Sequence, residues 1–250
     1  METLVLSYGA TWELAGSALD ELLRTQRFEP AETLFVARYL EPGMTVVDAG
    51  AHHGYYTLLA SRCVGLTGQV FAIEPSPRER LRLVRHLHKN HCQNVVLLPW
   101  ALGDREETAT LHLVDGSEDF CNSLRLPAGV QATTPVDVAV RRLDAVIPGP
   151  VDFVKLDVEG AERAALGGAL RLVDTAPRPV WLIEISETRT APWGYPAKDI
   201  LDLLHAHRYR WFTFAAEGRL TARDPAARNP EGNLVALPEE RLTTLLPRLL

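Results

Sequence analysis

The stretch from residue 44 to residue 64 constrains the fold more than any other part of the chain. Met44-Thr45-Val46-Val47-Asp48 is a short apolar run ending in an acid, Ala49-Gly50-Ala51-His52-His53-Gly54 is a glycine-bearing turn, and residues 55–64 have helical composition. Strand, glycine turn and helix in that order open a doubly wound α/β sheet. The alternation then repeats. Residues 69–74 read as a strand, Pro75-Ser76-Pro77 caps a helix running to about Asn90, and residues 95–98 form a further strand. Residues 151–158 and 180–185 are two more strands, followed by helices over 161–173 and near 197–207. Runs such as VVDA, VFAI and WLIEI are nearly continuously apolar, as strands covered on both faces should be.

The remaining segments fit around that frame. Residues 12–40 read as helical, with Leu14, Ala18 and Leu22 on one stripe and Leu34, Ala37, Tyr39 and Leu40 on another, and Pro30 suits a first helical turn. In the helix after residue 77, Leu81, Val84 and Leu87 form the expected apolar stripe, leaving Arg78, Arg82, Arg85 and Lys89 to solvent. Residues 103–142 break into short alternating pieces (108–114 and 136–140) and read as a β-rich insertion. Residues 209–214 and 233–237 are a closing antiparallel pair. The expectation is a Rossmann-like, mostly parallel sheet over 42–250 behind a helical cap over 1–41, together one structural domain.

Composition sets limits on function. With 250 residues, 46% hydrophobic and 23% charged, the chain reads as an ordinary globular protein. A net charge of −6 offers no general pull toward nucleic acid or an anionic membrane. Cys63, Cys92 and Cys121 are widely spaced without a CxxC pair, so they read as thiols of a reducing compartment, neither a disulfide framework nor zinc ligands. No signal peptide or membrane span is read, and the expected location is the cytoplasm. His86, His88, His91 and Cys92 resemble a metal set, but the first two diverge on a helix.

The turn at 48–54 narrows the ligand. Gly50 allows close backbone approach, and Glu74, 26 residues after Asp48, ends the next strand, where its carboxylate can accept hydrogen bonds from both hydroxyls of a ribose. A dinucleotide fold uses G-x-G-x-x-G, whereas Gly50 and Gly54 here are spaced G-x-x-x-G, with His52 and His53 where a pyrophosphate would lie. Asp48 would repel phosphates and attract a cation, which favours a sulfonium ligand with an ammonium group. The competing structural role for Asp48 and Glu74 is loop hydrogen bonding.

These residues resemble the FkbM-type class I methyltransferases. The likeness begins at Phe28-Glu29-Pro30-Ala31-Glu32-Thr33 and Pro42-Gly43-Met44, and runs through Val47-Asp48-Ala49-Gly50-Ala51-His52-His53-Gly54-Tyr55-Tyr56-Thr57. It continues in Phe71-Ala72-Ile73-Glu74-Pro75-Ser76-Pro77, Asn90 and Ala101-Leu102-Gly103-Asp104. Its most specific block is Val151-Asp152-Phe153-Val154-Lys155-Leu156-Asp157-Val158-Glu159-Gly160-Ala161-Glu162, with Leu166 and Gly167 after it. His52 departs from the asparagine usual in the family. The resemblance implies a seven-stranded sheet and methyl transfer from S-adenosylmethionine, usually to a hydroxyl of a natural product or sugar. It implies cofactor contacts from Asp48, Gly50, Ala51, His52, Gly54, Tyr55, Glu74, Pro75, Ser76, Asp104 and Asp157.

Residues 155–162 carry the chemistry if any do. Lys155 interrupts an apolar strand and requires a partner, and Asp157 projects from the same face two residues on. Asp157 is the first candidate for orienting or deprotonating a hydroxyl and Glu159 the second, with Lys155 either catalytic or paired. Asp157, Glu159 and Glu184 could instead hold a magnesium ion, the less favoured reading. The expected partner is a small-molecule hydroxyl acceptor, with no nucleic acid and no membrane. Trp193-Gly194-Tyr195 could wall its pocket. An NAD(P)-dependent oxidoreductase is the main alternative, disfavoured by glycine spacing and by the lack of a Tyr-x-x-x-Lys pair; a catalytically idle S-adenosylmethionine-binding module is the other.

Overall fold

The computed structural model describes residues 2–114, 121–126, 132–223 and 231–250. Strands β1 (Thr3–Val5) and β2 (Thr11–Glu13) pair as a hairpin ahead of helices α1 (Ala18–Arg24) and α2 (Pro30–Tyr39). There follow β3 (Thr45–Ala49), α3 (Tyr55–Val64), β4 (Gln69–Ile73), α4 (Pro77–Lys89) and β5 (Val95–Leu98). Strands β6 (Ala101–Leu102), β7 (Glu107–Val114) and β8 (Thr133–Arg141) build a separate three-stranded sheet, closed by α5 (Leu143–Val146). The chain returns through β9 (Phe153–Leu156), α6 (Glu162–Gly167), α7 (Leu170–Asp174), β10 (Val180–Ile185), α8 (Glu187–Thr190) and α9 (Lys198–Ala206). It ends with β11 (Tyr209–Phe214), β12 (Leu220–Ala222), β13 (Gly232–Pro238) and α10 (Leu242–Leu249).

The main sheet has the order β12-β11-β13-β10-β9-β3-β4-β5. Strands β5, β4, β3, β9 and β10 run parallel, while β13 pairs antiparallel with both β10 and β11. Seven strands are those expected. The eighth, β12, extends the outer edge by pairing with β11. Strand order reverses between β3 and β9, so a crevice opens beyond their carboxyl ends, where this architecture binds ligands.

The central strands earn their position from two-sided burial. Val46, Val70, Phe153, Val180 and Leu182 pack on one face, and Val47, Val154, Leu156, Trp181 and Ile183 on the other. Each is 0–1% exposed, and complete burial of such a side chain stabilises by roughly 1.5–3 kcal/mol. Among the described residues no helix is long and apolar enough to cross a membrane.

Several local expectations need correction. Residues 11–13 form a strand, not the start of a helix. Leu22, Leu34 and Ala37 face outward, and the buried stripes are Leu19, Asp20 and Leu23 on α1 and Thr33, Phe35, Val36 and Tyr39 on α2. On α4 the expected apolar face is inverted. Leu81 and Val84 are 66% and 51% exposed, whereas Glu79, Arg82, Leu83 and His86 point inward. The cause is a buried polar network that those residues complete, described below. The helix expected over 161–173 is broken into α6 and α7 at Gly168, where an added Cβ would lie 2.0 Å from the Gly103 carbonyl oxygen. Close approach of the insertion to this segment outweighs helical continuity.

Candidate functional site

A cavity of about 260 Å³ fills the crevice above β3 and β9. Asp48, Gly50, Ala51, His52, Tyr55, Glu74, Pro75, Lys155, Asp157, Glu159 and Glu184 line it, so most of the residues singled out in the sequence meet there. Gly54, Ser76 and Asp104 are not part of its lining. Gly54 is the N-cap of α3 at φ 94°, packed on Leu83. Ser76 is the N-cap of α4, its hydroxyl accepting from the Glu79 amide at 3.3 Å. Asp104 is exposed in the turn before β7.

The loop and the acid cluster meet through one glycine. Gly50 has φ 82°, and an added Cβ would fall 1.7 Å from the Asp157 carbonyl oxygen. Only a residue without a side chain lets the β3 loop press against the end of β9. Asp48 is buried, accepts the Thr57 hydroxyl at 2.5 Å, and has its pKa raised by burial despite Lys155. Glu74 accepts the amides of His52 at 2.7 Å and Ser76 at 2.8 Å, and burial lifts its pKa to about 7. It thus holds the loop's shape while spare lone pairs on its carboxylate remain for a ligand.

Lys155, 4% exposed, is the central cation. Its Nζ donates to Asp157 Oδ2 at 2.6 Å and lies 4.9 Å over the Tyr56 ring. Burial alone would lower its pKa, but Asp157, Glu29 and Asp48 surround it and raise it instead. Burial pushes Asp157 upward, yet Lys155 prevails and holds that carboxyl below its ordinary value. Glu184, facing the Asp157 charge and partly buried, is pushed to about 10. Of the two carboxyls, Glu184 is the one pushed toward its neutral form. Glu159 sits at φ 54°, and burial together with Asp157 lifts it to about 8. Arg189 Nε lies 2.8 Å from Glu159 Oε2 but is not aligned for a hydrogen bond, which leaves that buried oxygen without one. Glu162, pushed to about 7 by burial, accepts the Val158 amide at 3.0 Å and the Gly160 amide at 3.2 Å, bracing the turn that carries Glu159.

Oxygens of Asp157, Glu159 and Glu184 lie within 4.8 Å of one another, as the magnesium reading required. Two of these acids already face cations, Lys155 and Arg189. A divalent ion would have to compete there with Lys155, 2.6 Å from Asp157, and Arg189, 2.8 Å from Glu159, and no step below is routed through one. His52, His53 and Glu79 form a second such group. There Arg82 donates to His53 Nδ1 at 3.2 Å, which leaves Nε2–H to donate to Glu79 at 3.0 Å. That group is a structural network. His86 belongs to it too, donating from Nδ1 to the His53 carbonyl at 2.7 Å and accepting the Glu13 amide at 3.0 Å. His52 differs: at φ 48° it stacks on His53, burial lowers its pKa to about 3, and its Nε2 is buried without a partner at the cavity.

Three lining residues, Glu29, Trp100 and Arg189, escaped the sequence reading. Glu29, a left-handed N-cap ahead of Pro30, accepts the Tyr56 hydroxyl at 2.5 Å and Asn233 Nδ2 at 2.9 Å beside Lys155. Trp100 and Arg189 also line the cavity. Only Glu29 left a signal, as a charged residue just before a helix-starting proline. The lining acids, Glu29, Asp48, Glu74, Asp157, Glu159 and Glu184, outnumber the cations Lys155 and Arg189. Such a lining, with apolar walls from Trp100, Leu102 and Leu111, suits a cationic ligand with a planar aromatic end, and S-adenosylmethionine fits that description.

Comparison with known proteins narrows the assignment. The FkbM methyltransferase domain matches residues 48–211. No match to a curated protein is found. An FkbM methyltransferase structure from Methylobacillus flagellatus is 19% identical over 78% of this chain, at a TM-score of 0.49, and the chain spans 44% of that protein. A S-adenosylmethionine-dependent O-methyltransferase from Thermotoga maritima is 17% identical over 95% of this chain and 77% of its own, at 0.49. A Clostridium thermocellum protein described as a putative rRNA methylase is 13% identical over 90% and 96%, also at 0.49. These likenesses are too distant to carry weight, and the assignment rests on the domain match, which takes in the β3 loop, Glu74 and the strand-β9 acids. On that match the chain belongs to the FkbM family of S-adenosylmethionine-dependent methyltransferases.

Proposed function

We propose that the chain methylates a hydroxyl oxygen of a small molecule. The observation that carries this reading is the buried carboxyl cluster at the ends of β9 and β10, lying against the β3 loop. S-adenosylmethionine supplies an already activated methyl group, so the protein's task is alignment and proton management. Asp48, Asp157 and Glu29 provide negative charge for its cationic end, and Glu74 offers a carboxylate to its ribose.

A hydroxyl must lose its proton as the new C–O bond forms. Asp157 is held ionised by Lys155 and is a weak base for that reason, so its role is to orient the hydroxyl. Glu159, lifted to about 8 with one oxygen free of hydrogen bonds, is the stronger base and accepts the proton from its ionised form, so turnover should rise with pH toward 8. This reverses the order of candidates read from the sequence. The net charge of −6 supports a small acceptor over a nucleic acid.

The test is incubation with methyl-labelled S-adenosylmethionine and a panel of hydroxylated acceptors, with products identified by NMR. An O-methyl ether supports the proposal. Label found only on nitrogen, carbon or RNA overturns it. A strong chelator should leave turnover within twofold; its abolition would assign Asp157, Glu159 and Glu184 to a metal.

A further inference from the structure

A second cavity, of about 360 Å³, lies on the outer face of β7 and is walled by Arg105, Thr110, His112, Leu124, Arg125 and Trp193. Leu124 lines both this groove and the central cavity, so the two are neighbours. Both walls of the groove are fastened to the turn that carries Glu159. Ser123 Oγ donates to the Glu159 carbonyl at 2.7 Å, fixing the segment that bears Leu124 and Arg125. On the other side Gly160 has φ 97°, and an added Cβ would meet the Arg189 carbonyl oxygen at 2.2 Å and the Trp193 indole at 2.7 Å. Glycine there lets Trp193 lie flush on the turn.

The charges of the two compartments are opposite. The central cavity is rich in acids, whereas the groove holds Arg105, Arg125 and His112 against Glu107. Arg105 Nε already donates to Glu107 at 2.9 Å. Arg125 makes no ion pair among the described residues; its guanidinium lies 5.3 Å over the Trp193 ring. Stacking of that kind holds the guanidinium plane while leaving its N–H edge available for a bidentate anion.

We propose that this groove is the outer half of the acceptor site and binds an anionic group, carboxylate or phosphate, on the molecule whose hydroxyl reaches Glu159. The inference rests on the methyltransferase reading above. The acceptor's anion pairs with Arg125, its body covers Leu124 and Trp193, and its hydroxyl enters the acidic cavity.

Calorimetry on the full chain saturated with S-adenosylhomocysteine tests this, with inorganic phosphate, glucuronate and glucose as probes. Glucuronate or phosphate should bind at least tenfold tighter than glucose, and whichever binds tighter identifies the anion. Arg125→Gln should erase that preference without altering affinity for S-adenosylhomocysteine; Trp193→Phe should retain it and Trp193→Ala weaken it. Equal binding of charged and neutral probes, absence of binding by either anion, or an unchanged preference in Arg125→Gln overturns the proposal. Failure of S-adenosylhomocysteine itself to bind would instead remove the cofactor reading, so the two failures are distinguishable.

Discussion

Two buried ionic clusters lie on either side of the β3 loop, and they differ in how their charges are settled. Beneath the hairpin, Arg82 pairs with Asp20 at 2.5 Å, and Asp20 also accepts Trp12 Nε1 at 2.8 Å and two backbone amides. Nearby, Glu79 accepts His53, Arg78 and Asn122. Burial opposes these charges, but the hydrogen bonds outweigh it, lowering Asp20 and holding Glu79 at about 2. Around Lys155 the balance is reversed. Acids exceed cations, and burial together with the Asp157 charge lifts Glu159 and Glu184 to about 8 and 10. The first cluster is closed and structural; the second lacks positive charge and opens on a cavity. Satisfaction of charge, more than burial or residue type, separates scaffold from site.

The largest expected effect would break that comparison if it failed. Asp20→Ala strands Arg82 and Trp12 Nε1, and urea unfolding should show a loss of about 3–5 kcal/mol. Glu159→Gln should reduce turnover about 100-fold, in the range of general-base loss, while affinity for S-adenosylhomocysteine stays within twofold. Glu74→Ala should weaken that affinity about tenfold by calorimetry, since it removes both a ribose acceptor and the brace of the His52 amide. An unaltered affinity would refute the ribose assignment.

The pH dependence of stability should carry opposite signs in the two clusters. Glu79, lowered from 4.5 to about 2, stabilises the fold above pH 4.5, and that contribution disappears as pH falls through 2. Glu159 and Glu184, raised from 4.5, contribute most below pH 4.5 and lose that contribution as pH rises through about 8 and 10. Melting temperature measured across this range in Glu79→Gln and Glu159→Gln would separate the arms. The smallest effect sharpens the contrast: Glu184→Gln replaces a group that is already neutral at pH 7, so unfolding free energy should change by less than about 1 kcal/mol. A loss as large as that of Asp20→Ala would mean that the two clusters are alike.

The sheet and the shape of the β3 loop were legible because their signals are local. Asp48 and Glu74 end apolar strands, and Lys155 and Asp157 share a strand parity, so backbone geometry alone brings them together. The face of α4 was misread because hydrophobicity was allowed to decide what lies inside. Arg82 and His86 are buried by partners from residues 13, 20 and 53, which periodicity within one helix cannot reveal. Glu29 and Arg189 were missed for the same reason: each meets its partner from a different element, Glu29 from the start of α2 beside Lys155 and Arg189 from α8 against Glu159. The relative basicity of Asp157 and Glu159 depended on Lys155 and Arg189 distances that spacing does not encode.

Leu124 and Arg125 follow β7, in the three-stranded sheet that stands apart from the eight-stranded one. On the proposed reading, the donor half of the pocket is cast in the main sheet, while the half that would meet the acceptor is an attachment clipped on at Ser123. A lineage could remodel that attachment, and with it the molecule being modified, while the machinery for handling the methyl donor stayed as it was.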